Sequence, residues 1–589
     1  MPRRTVSVLA ILILLSPAVF VPAQAHAPVR PRPAARTIRG LPSLVWGCPM
    51  CETVRQPFPG RCPKCGMALV PIGAGTGRPG GGERRLALMP GVPDWLFFTG
   101  ALGTLVVSFA VVDRAGRRRR GRGRPRLDLL RWAPLRHAIR SRILQRALQS
   151  SVLVLFLLVL AAGFAGNQRP ERNIAPVLTW TIWWTWLAFV ILFLGKIWCT
   201  ACPFVTIADG IAALGRLRRS GRPFGLGLRW PRRLRNIWPA TALFVGLTWL
   251  ELGYGVTTKP WLTAVLGVAM VAMATASVLI FERRAFCRYA CLVGRVSGLY
   301  ALCASSELRA RDRNVCRECA TRDCYHGAPG AAPCPTHQYL GAMEVNTYCT
   351  LCFECVRSCP HDNVAWNARL PGADLVESRR YRADEAYLAV IMLSMSAFHG
   401  LTMTPSWDRL VEAISTRTGL SELGAFTVGM AGMLALPIAV FFGLCLLMKA
   451  VTGDREHPVR QLFIRFAYSL LPIALCYHLA HNLQHVFFEG MKLVRIASDP
   501  FGWGWDLFGT ARMPIDAVLP VQVGWAIQVL LVLGGHIFGI VVAHRAAASL
   551  YPEPGRALRS QLPMLAGMLA FSFQSLWLLA QPMMMRTAM

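Results

Sequence analysis

Apolar stretches long enough to cross a bilayer recur ten times along the chain, near 93–112, 150–166, 174–197, 236–255, 261–281, 383–404, 422–448, 463–487, 519–543 and 560–582. A hydrocarbon layer about 30 Å thick takes roughly 20 helical residues. Lipid offers no partner for backbone N–H and C=O groups, so only a segment that satisfies its own can cross. The pattern therefore predicts a predominantly α, polytopic membrane protein of about ten transmembrane helices. Two polar interruptions are long enough to fold separately: 40–75 near the N-terminus and 283–370 in the middle.

Charge orients this arrangement. Arg114, Arg117 to Arg120, Arg122, Arg124, Arg126 and Arg131 crowd the first loop between spans, and Arg216, Arg218, Arg219, Arg232, Arg233 and Arg235 the third. Arginine is retained in the cytoplasm, so both loops and the 283–370 region are expected there, with the C-terminus outside. Residues 1–27 carry Arg3 and Arg4, an apolar run from Val6 to Phe20, and small residues at Ala23, Ala25 and Ala27. This predicts a signal peptide, with the segment after it in the periplasm and the chain in a bacterial inner membrane. Both cues give one topology. The basic, Gly-interrupted link from Arg114 to Arg126 is expected to lie against anionic lipid heads, and Trp180, Trp183, Trp184 and Trp186 are expected to anchor span three at an interface.

Among 589 residues 54% are hydrophobic, and the net charge is +34. In a soluble protein that charge would point to nucleic acid; here the arginines fall in loops between apolar spans, which argues for no nucleic acid.

The chemistry lies in the cysteines. Cys349, Cys352, Cys355 and Cys359-Pro360 form a C-x2-C-x2-C-x3-C-P run, the ligand pattern of a [4Fe-4S] cluster. Upstream, Cys316, Cys319 and Cys324 are followed by Cys334-Pro335. In two-cluster ferredoxins the fourth cysteine of each run ligates the other cluster. The expected sets are thus Cys349, Cys352, Cys355 with Cys334, and Cys316, Cys319, Cys324 with Cys359. The region 283–370 reads as a small α+β two-cluster ferredoxin domain. Structural zinc accounts poorly for the prolines after both fourth cysteines.

Two further pairs, Cys199 with Cys202-Pro203 and Cys287 with Cys291, sit where spans three and five end. Residues 150–370 as a whole resemble the membrane polyferredoxins of the NapH/NosR type and the related copper-reducing CcoG type, in which Cys-x3-Cys-Pro pairs at helix ends accompany a cytoplasmic two-cluster ferredoxin. The resemblance implies cofactor-binding or redox-active cysteines at the membrane face. This chain departs from it twice: the first pair is one residue short, and Leu292 replaces the second proline. Cys303, Cys445 and Cys476 have no partner in sequence and read as small packing residues.

Outside the membrane, Cys48-Pro49-Met50-Cys51 and Cys62-Pro63-Lys64-Cys65-Gly66-Met67 suit a four-thiolate site for zinc or copper. The segment resembles the small heavy-metal-binding domain of copper exporters, with Cys51 where that family usually has histidine.

The C-terminal membrane domain, 383–589, carries histidines within its spans: His399 in span six, His478, His481 and His485 on one expected face of span eight, and His536 and His544 in span nine. Ionisable groups at this depth are costly unless they pair or ligate. Haem b is the expected occupant, held by imidazoles from two helices. The same histidines also suit hydrogen-bonded packing, and the span-eight triad a copper or zinc site completed by Met583, Met584 and Met585. A single electron transfer cannot cover the membrane thickness, so a redox group is needed between the faces, with quinone another candidate.

No Walker loop, Rossmann fingerprint or serine elbow appears, and no catalytic side chain emerges. The expected function is that of an oxidoreductase component: a membrane electron-transfer protein. It would connect quinol or a cytoplasmic redox partner protein with an acceptor at the outer face, such as copper or a periplasmic metalloprotein. The alternative is a non-enzymatic heavy-metal-binding or export component with redox-sensing clusters. The first membrane domain is bounded at 93–282.

Overall fold

The computed structural model describes residues 45–47, 55–56, 70–72, 94–118, 125–215, 224–378, 380–514 and 518–580. The signal peptide, Cys48, Cys51, Cys62, Cys65 and Met583 to Met585 lie outside the described residues.

Near the N-terminus, strands β1 (Val45–Gly47), β2 (Arg55–Gln56) and β3 (Val70–Ile72) form an antiparallel sheet of order β2-β1-β3. Gly47 ends β1 immediately before Cys48, and β3 begins five residues after Cys65.

The remainder is mainly helical. Its principal helices are α1 (Asp94–Arg118), α2 (Arg142–Ala165), α3 (Ile174–Leu194), α4 (Pro203–Leu214), α5 (Trp238–Gly253), α6 (Pro260–Ile280), α7 (Leu292–Tyr300), α8 (Ala383–Thr402), α9 (Pro405–Thr418), α10 (Glu422–Thr452), α11 (Val459–Ala467), α12 (Leu470–Ser498), α13 (Val521–Leu550) and α14 (Pro554–Ala580). Among the described residues seven are long and apolar enough to cross a membrane: α1, α2, α3, α6, α10, α13 and α14. The number rises to nine if the bent pairs α8 with α9 (93°) and α11 with α12 (41°) each count once. The tenth expected span is α5, whose 16 residues fall short on length. It nevertheless runs beside its neighbours. Ile237 N–H, just before α5, donates to Asp384 Oδ2 at the head of α8 (3.1 Å), and Gly253 at its far end meets Leu423 and Phe426 of α10. Large apolar side chains such as Leu155, Trp186, Phe193 and Leu530 face outward, as lipid contact requires.

Connections collect at two ends. At one, Asn167 N–H donates to Phe501 O (2.7 Å) and Ile174 N–H to Pro500 O (3.0 Å). At the other stands a second antiparallel sheet, of order β4-β6-β5, made from β4 (Arg126–Asp128), β5 (Ser306–Ala310) and β6 (Val364–Arg369). The 283–370 boundary is corrected by this sheet. Strand β4 comes from the first basic loop, and Leu130 and Ile139 after it enter one core with Leu308, Leu340, Leu351, Phe353, Val356 and Trp366. A three-residue strand is too short to announce itself as an alternating pattern.

Charge clamps the loop in place. Arg126 pairs with Glu307 Oε1 (2.8 Å) and Glu377 Oε2 (2.5 Å), Arg311 with Asp128 (3.0 Å), Arg140 with Asp362 (2.7 Å) and Arg142 with Glu354 (3.1 Å). Residues 119–124 lie outside the described set, but Arg126 is satisfied by carboxylates, not by lipid heads. The third basic loop joins the same end: Leu226 N–H donates to Leu279 O (2.7 Å) and Glu282 N–H to Leu228 O (2.8 Å).

The tryptophan anchors are also corrected. Trp180 is buried and donates to Thr263 Oγ1 (3.0 Å), Trp183 packs on Trp198 and Trp184 on His478, and Trp186 alone of the four is exposed. Residues Val177–Trp183, which include Trp180 and Trp183, form a π-helical turn.

Candidate iron–sulfur centres

The eight cysteines of the central module divide into two groups of four. Burial pushes the Cys349 thiol up to about 12, with Cys352 and Cys334 adding to the rise; Cys352 and Cys355 are raised in the same way, by burial and then by neighbours that include Cys334. On the other side, burial raises Cys316 and takes Cys324 to about 11, with Cys359 and Cys319 contributing to both. Cys334 thus adds to the rise of all three thiols of the 349–355 run, and Cys359 to that of Cys316 and Cys324. The second group lines one cavity together with Tyr339, Leu340 and Asn363.

The backbone is bent to this end. In the run CTLCFEC, Leu351 (φ 51°) and Phe353 (φ 59°) are both left-handed, a conformation costing an L-residue roughly 1–2 kcal/mol. Strain of this kind persists where the surroundings over-determine it, and here it sits between three sulfurs. Backbone and amide N–H groups point at the sulfurs: Gln338 N–H to Cys334 (3.2 Å), Asn363 N–H to Cys359 (3.4 Å) and Asn363 Nδ2 to Cys316 (3.3 Å). Such bonds favour the thiolate.

The pairs at the ends of spans three and five, distant in sequence, also come together. Cys202 is raised by burial and by Cys287, Cys291 and Cys199; Cys287 is pushed up to about 12 by burial and then by Cys291, with Cys199 adding to it. Asp209 of α4 pairs with Arg284 (2.6 Å), which pins the middle of α4 to the corner that carries Cys287. This site adjoins the first group. Thr200 Oγ1 donates to Thr350 O (3.0 Å), Arg283 Nη1 to Cys334 O (3.2 Å), and Arg288 Nη1 to His337 O (2.8 Å).

Among the described residues, no three His, Cys, Asp or Glu side chains close to the distances of a single metal ion. Four thiols per group is the ligand number of a [4Fe-4S] cluster.

Sequence reasoning missed two residues, Lys196 and Arg295, each 1% exposed beside the span-end cysteines. Burial lowers Lys196 to about 8, Arg295 lowers it further, and the thiols Cys199, Cys291 and Cys287 oppose the fall. A lone charge inside an apolar run, as in LFLGKIW or LVGRVSGLY, was the available signal.

The histidines divide differently. His478 faces Trp184 and Tyr300, whereas His481 packs against His485 and Tyr477, so the three do not share one set of neighbours. His536 Nδ1 bonds Val532 O (2.8 Å) and its ring lies near Phe571, as does Tyr477. His544 meets Gln561 (3.3 Å), and His399 lies 3.9 Å from Glu251. A Cβ at Gly535 would stand 2.6 Å from Cys476 Cβ, and one at Gly539 3.0 Å from Ile473. At these two glycines α12 and α13 pack closely. Cys303 and Cys445 are buried as packing residues, and Cys476 fills the α12–α13 contact.

Two family models match the chain. Residues 45–72 match a heavy metal binding domain, and residues 176–222 and 263–309 each match a 4Fe-4S binding domain. The two latter matches contain Cys199 with Cys202 and Cys287 with Cys291, and neither reaches the eight cysteines of 316–359. No curated protein and no solved structure matches. The chain thus combines 4Fe-4S binding domains, a heavy-metal-binding domain and a set of long apolar helices consistent with a multi-pass membrane protein.

Proposed function

We propose that the chain is an inner-membrane electron-transfer protein of the polyferredoxin kind, with its clusters on the cytoplasmic side. The observation that carries this reading is the crosswise division of eight cysteines into two four-thiol groups, at the end of the helices where both basic loops lie. Cysteines 349, 352, 355 and 334 would hold one [4Fe-4S] cluster and 316, 319, 324 and 359 the other. Such clusters, when bound, accept and release single electrons. The chain's part is to strip water from the sulfurs, aim N–H groups at them and fix the sites against the membrane helices. Because the buried thiols sit well above neutral, loading releases protons and weakens as pH falls.

The heavy-metal-binding match at 45–72 favours a metal ion as the acceptor outside, with Cu(II) taking one electron to become Cu(I), the state soft thiolates prefer. Quinol or a cytoplasmic protein would supply the electron. Two measurements test the proposal. Anaerobically purified protein should contain iron and acid-labile sulfide that fall in Cys319→Ala and Cys352→Ala. Reduction of Cu(II) should slow in Cys48→Ser with Cys62→Ser. Protein without sulfide overturns the first part, and unchanged Cu(II) reduction the second.

A further inference from the structure

We infer that Cys199, Cys202, Cys287 and Cys291 together hold a third iron–sulfur cluster, each copy of the repeated domain supplying half of its ligands, with Lys196 and Arg295 as its counter-charges. This deepens the electron-transfer reading and rests on it.

The two pairs have the same local build. Cys202 precedes α4 and Cys291 precedes α7, each as the residue before the first helical turn. Cys291 Sγ accepts from Gly294 N–H (3.3 Å), and Cys202 accepts in the same way from Val205 N–H, in each case the amide three residues on. A sulfur in that position is stabilised as thiolate by the free N–H groups and dipole of the helix start. Two equivalent half-sites, far apart in sequence, face one another because α4 packs along α6 and Asp209 holds Arg284.

The second observation concerns charge. Arg295 is 1% exposed, and among the described residues none of its guanidinium nitrogens has a hydrogen-bond partner; the face of Tyr348 lies 4.6 Å away. Lys196, equally buried, reaches a single carbonyl, Thr347 O, at 3.4 Å. Two buried cations with so few partners are costly unless an anion lies between them. Four thiolates around a cubane carry net negative charge, and a neutral or disulfide-bonded site would not answer it.

The third is position. The Thr200 to Thr350 hydrogen bond and the Arg283 contact to Cys334 set this site against the 334/349/352/355 group, while Cys355 lies within electrostatic reach of Cys324. The three sites therefore form a series, with the span-end cysteines last and nearest the helices. An electron entering there oxidises its donor by one unit and reduces the acceptor by one, with no bond made and no proton moved.

The test uses the full-length protein, purified anaerobically, with iron and sulfide counted per chain and paramagnetic resonance recorded on stepwise reduction. The natural protein should hold about twelve iron atoms, four for each cubane. Cys199→Ala with Cys287→Ala should lose about four and one resonance component, while Cys319→Ala with Cys352→Ala loses iron from the other sites. If only the second variant loses iron, the third cluster is overturned and the electron-transfer reading stands. If neither does, that reading fails as well. Zinc, copper or a disulfide at these four thiols also overturns the inference. Should the cysteine variant not fold, Arg295→Met and Arg295→Lys decide: with iron content unchanged, the former should lower the reduction potential of one component and the latter restore it. Equal potentials in both would sink the inference.

Discussion

Thr200, between Cys199 and Cys202, donates its hydroxyl to the carbonyl oxygen of Thr350, between Cys349 and Cys352, at 3.0 Å, and both residues are buried. One hydrogen bond thus ties two cysteine motifs that lie 150 residues apart. Thr200→Val keeps the shape and removes the donor, leaving a buried carbonyl unsatisfied at a cost of about 1–2 kcal/mol. Iron content should stay as it is, and amide exchange should quicken over residues 346–352. Unchanged exchange would show that the bond does not hold the module to the span-end site.

The module sheet is locked by a buried charge network. Glu307 Oε2 accepts from Arg369 Nη1 (2.5 Å) and lies 3.3 Å from Arg309, while Arg369 also pairs with Asp374. With Arg369 and Glu307 essentially without solvent, Glu307→Ala strands buried cations and should cost about 3 kcal/mol or more. The double variant Glu307→Leu with Arg369→Leu should recover part of that loss, because removing both charges removes the stranded one. Thermal bleaching of the iron–sulfur absorption reads both. A double variant weaker than the single by the full sum of two losses would contradict this account.

The sequence made much of this legible because its strongest signals are local. Cysteine spacing with the trailing prolines singled out eight cysteines as two candidate ligand sets, and apolar length placed nine of the ten expected segments on helices or bent helix pairs long enough to cross a membrane. What it concealed is set by packing at a distance. The pairing of Cys199 and Cys202 with Cys287 and Cys291 depends on how α4 meets α6, and nothing in either motif announces the other. Strand β4 is three residues long and gains its identity only by bonding to β6. The tryptophans of span three looked interfacial because a Trp cluster near a span end usually is; three of them pack against protein neighbours instead. The histidines of span eight fall on one arc of a helical wheel, yet that arc is wide enough to face two sets of neighbours.

Gly372 is a point where the module meets the membrane helices. Its φ of +71° is left-handed, its N–H donates to Cys303 O (3.0 Å), and a Cβ there would run into the ring of Phe538 on α13. Gly372→Ala therefore meets backbone strain and overpacking together, roughly 2–4 kcal/mol. In a Phe538→Ala background only the backbone part, about 1 kcal/mol, should remain. A cycle in which the two substitutions simply add would show that the ring is not what Gly372 accommodates.

Asp454, just after α10, gives stability a defined pH dependence. Burial pushes its carboxyl up, but Tyr551 Oη (2.6 Å), the His457 ring and the amides of His457 and Glu456 outweigh this and hold it at about 2. Arg556 adds a charge 3.6 Å away. A folded pKa below the unfolded value of about 4 means that the carboxylate favours the folded state. That stability is fully present above about pH 4 and is lost as pH falls through about 2. Its size is about 1–2 kcal/mol, allowing for screening at this end of the helices. Asp454→Asn should lower the melting temperature at pH 7, and the difference from the natural protein should shrink as the pH is taken from 5 towards 2. A difference that stays constant down to pH 2 would mean that Tyr551 binds the asparagine as well as it binds the carboxylate.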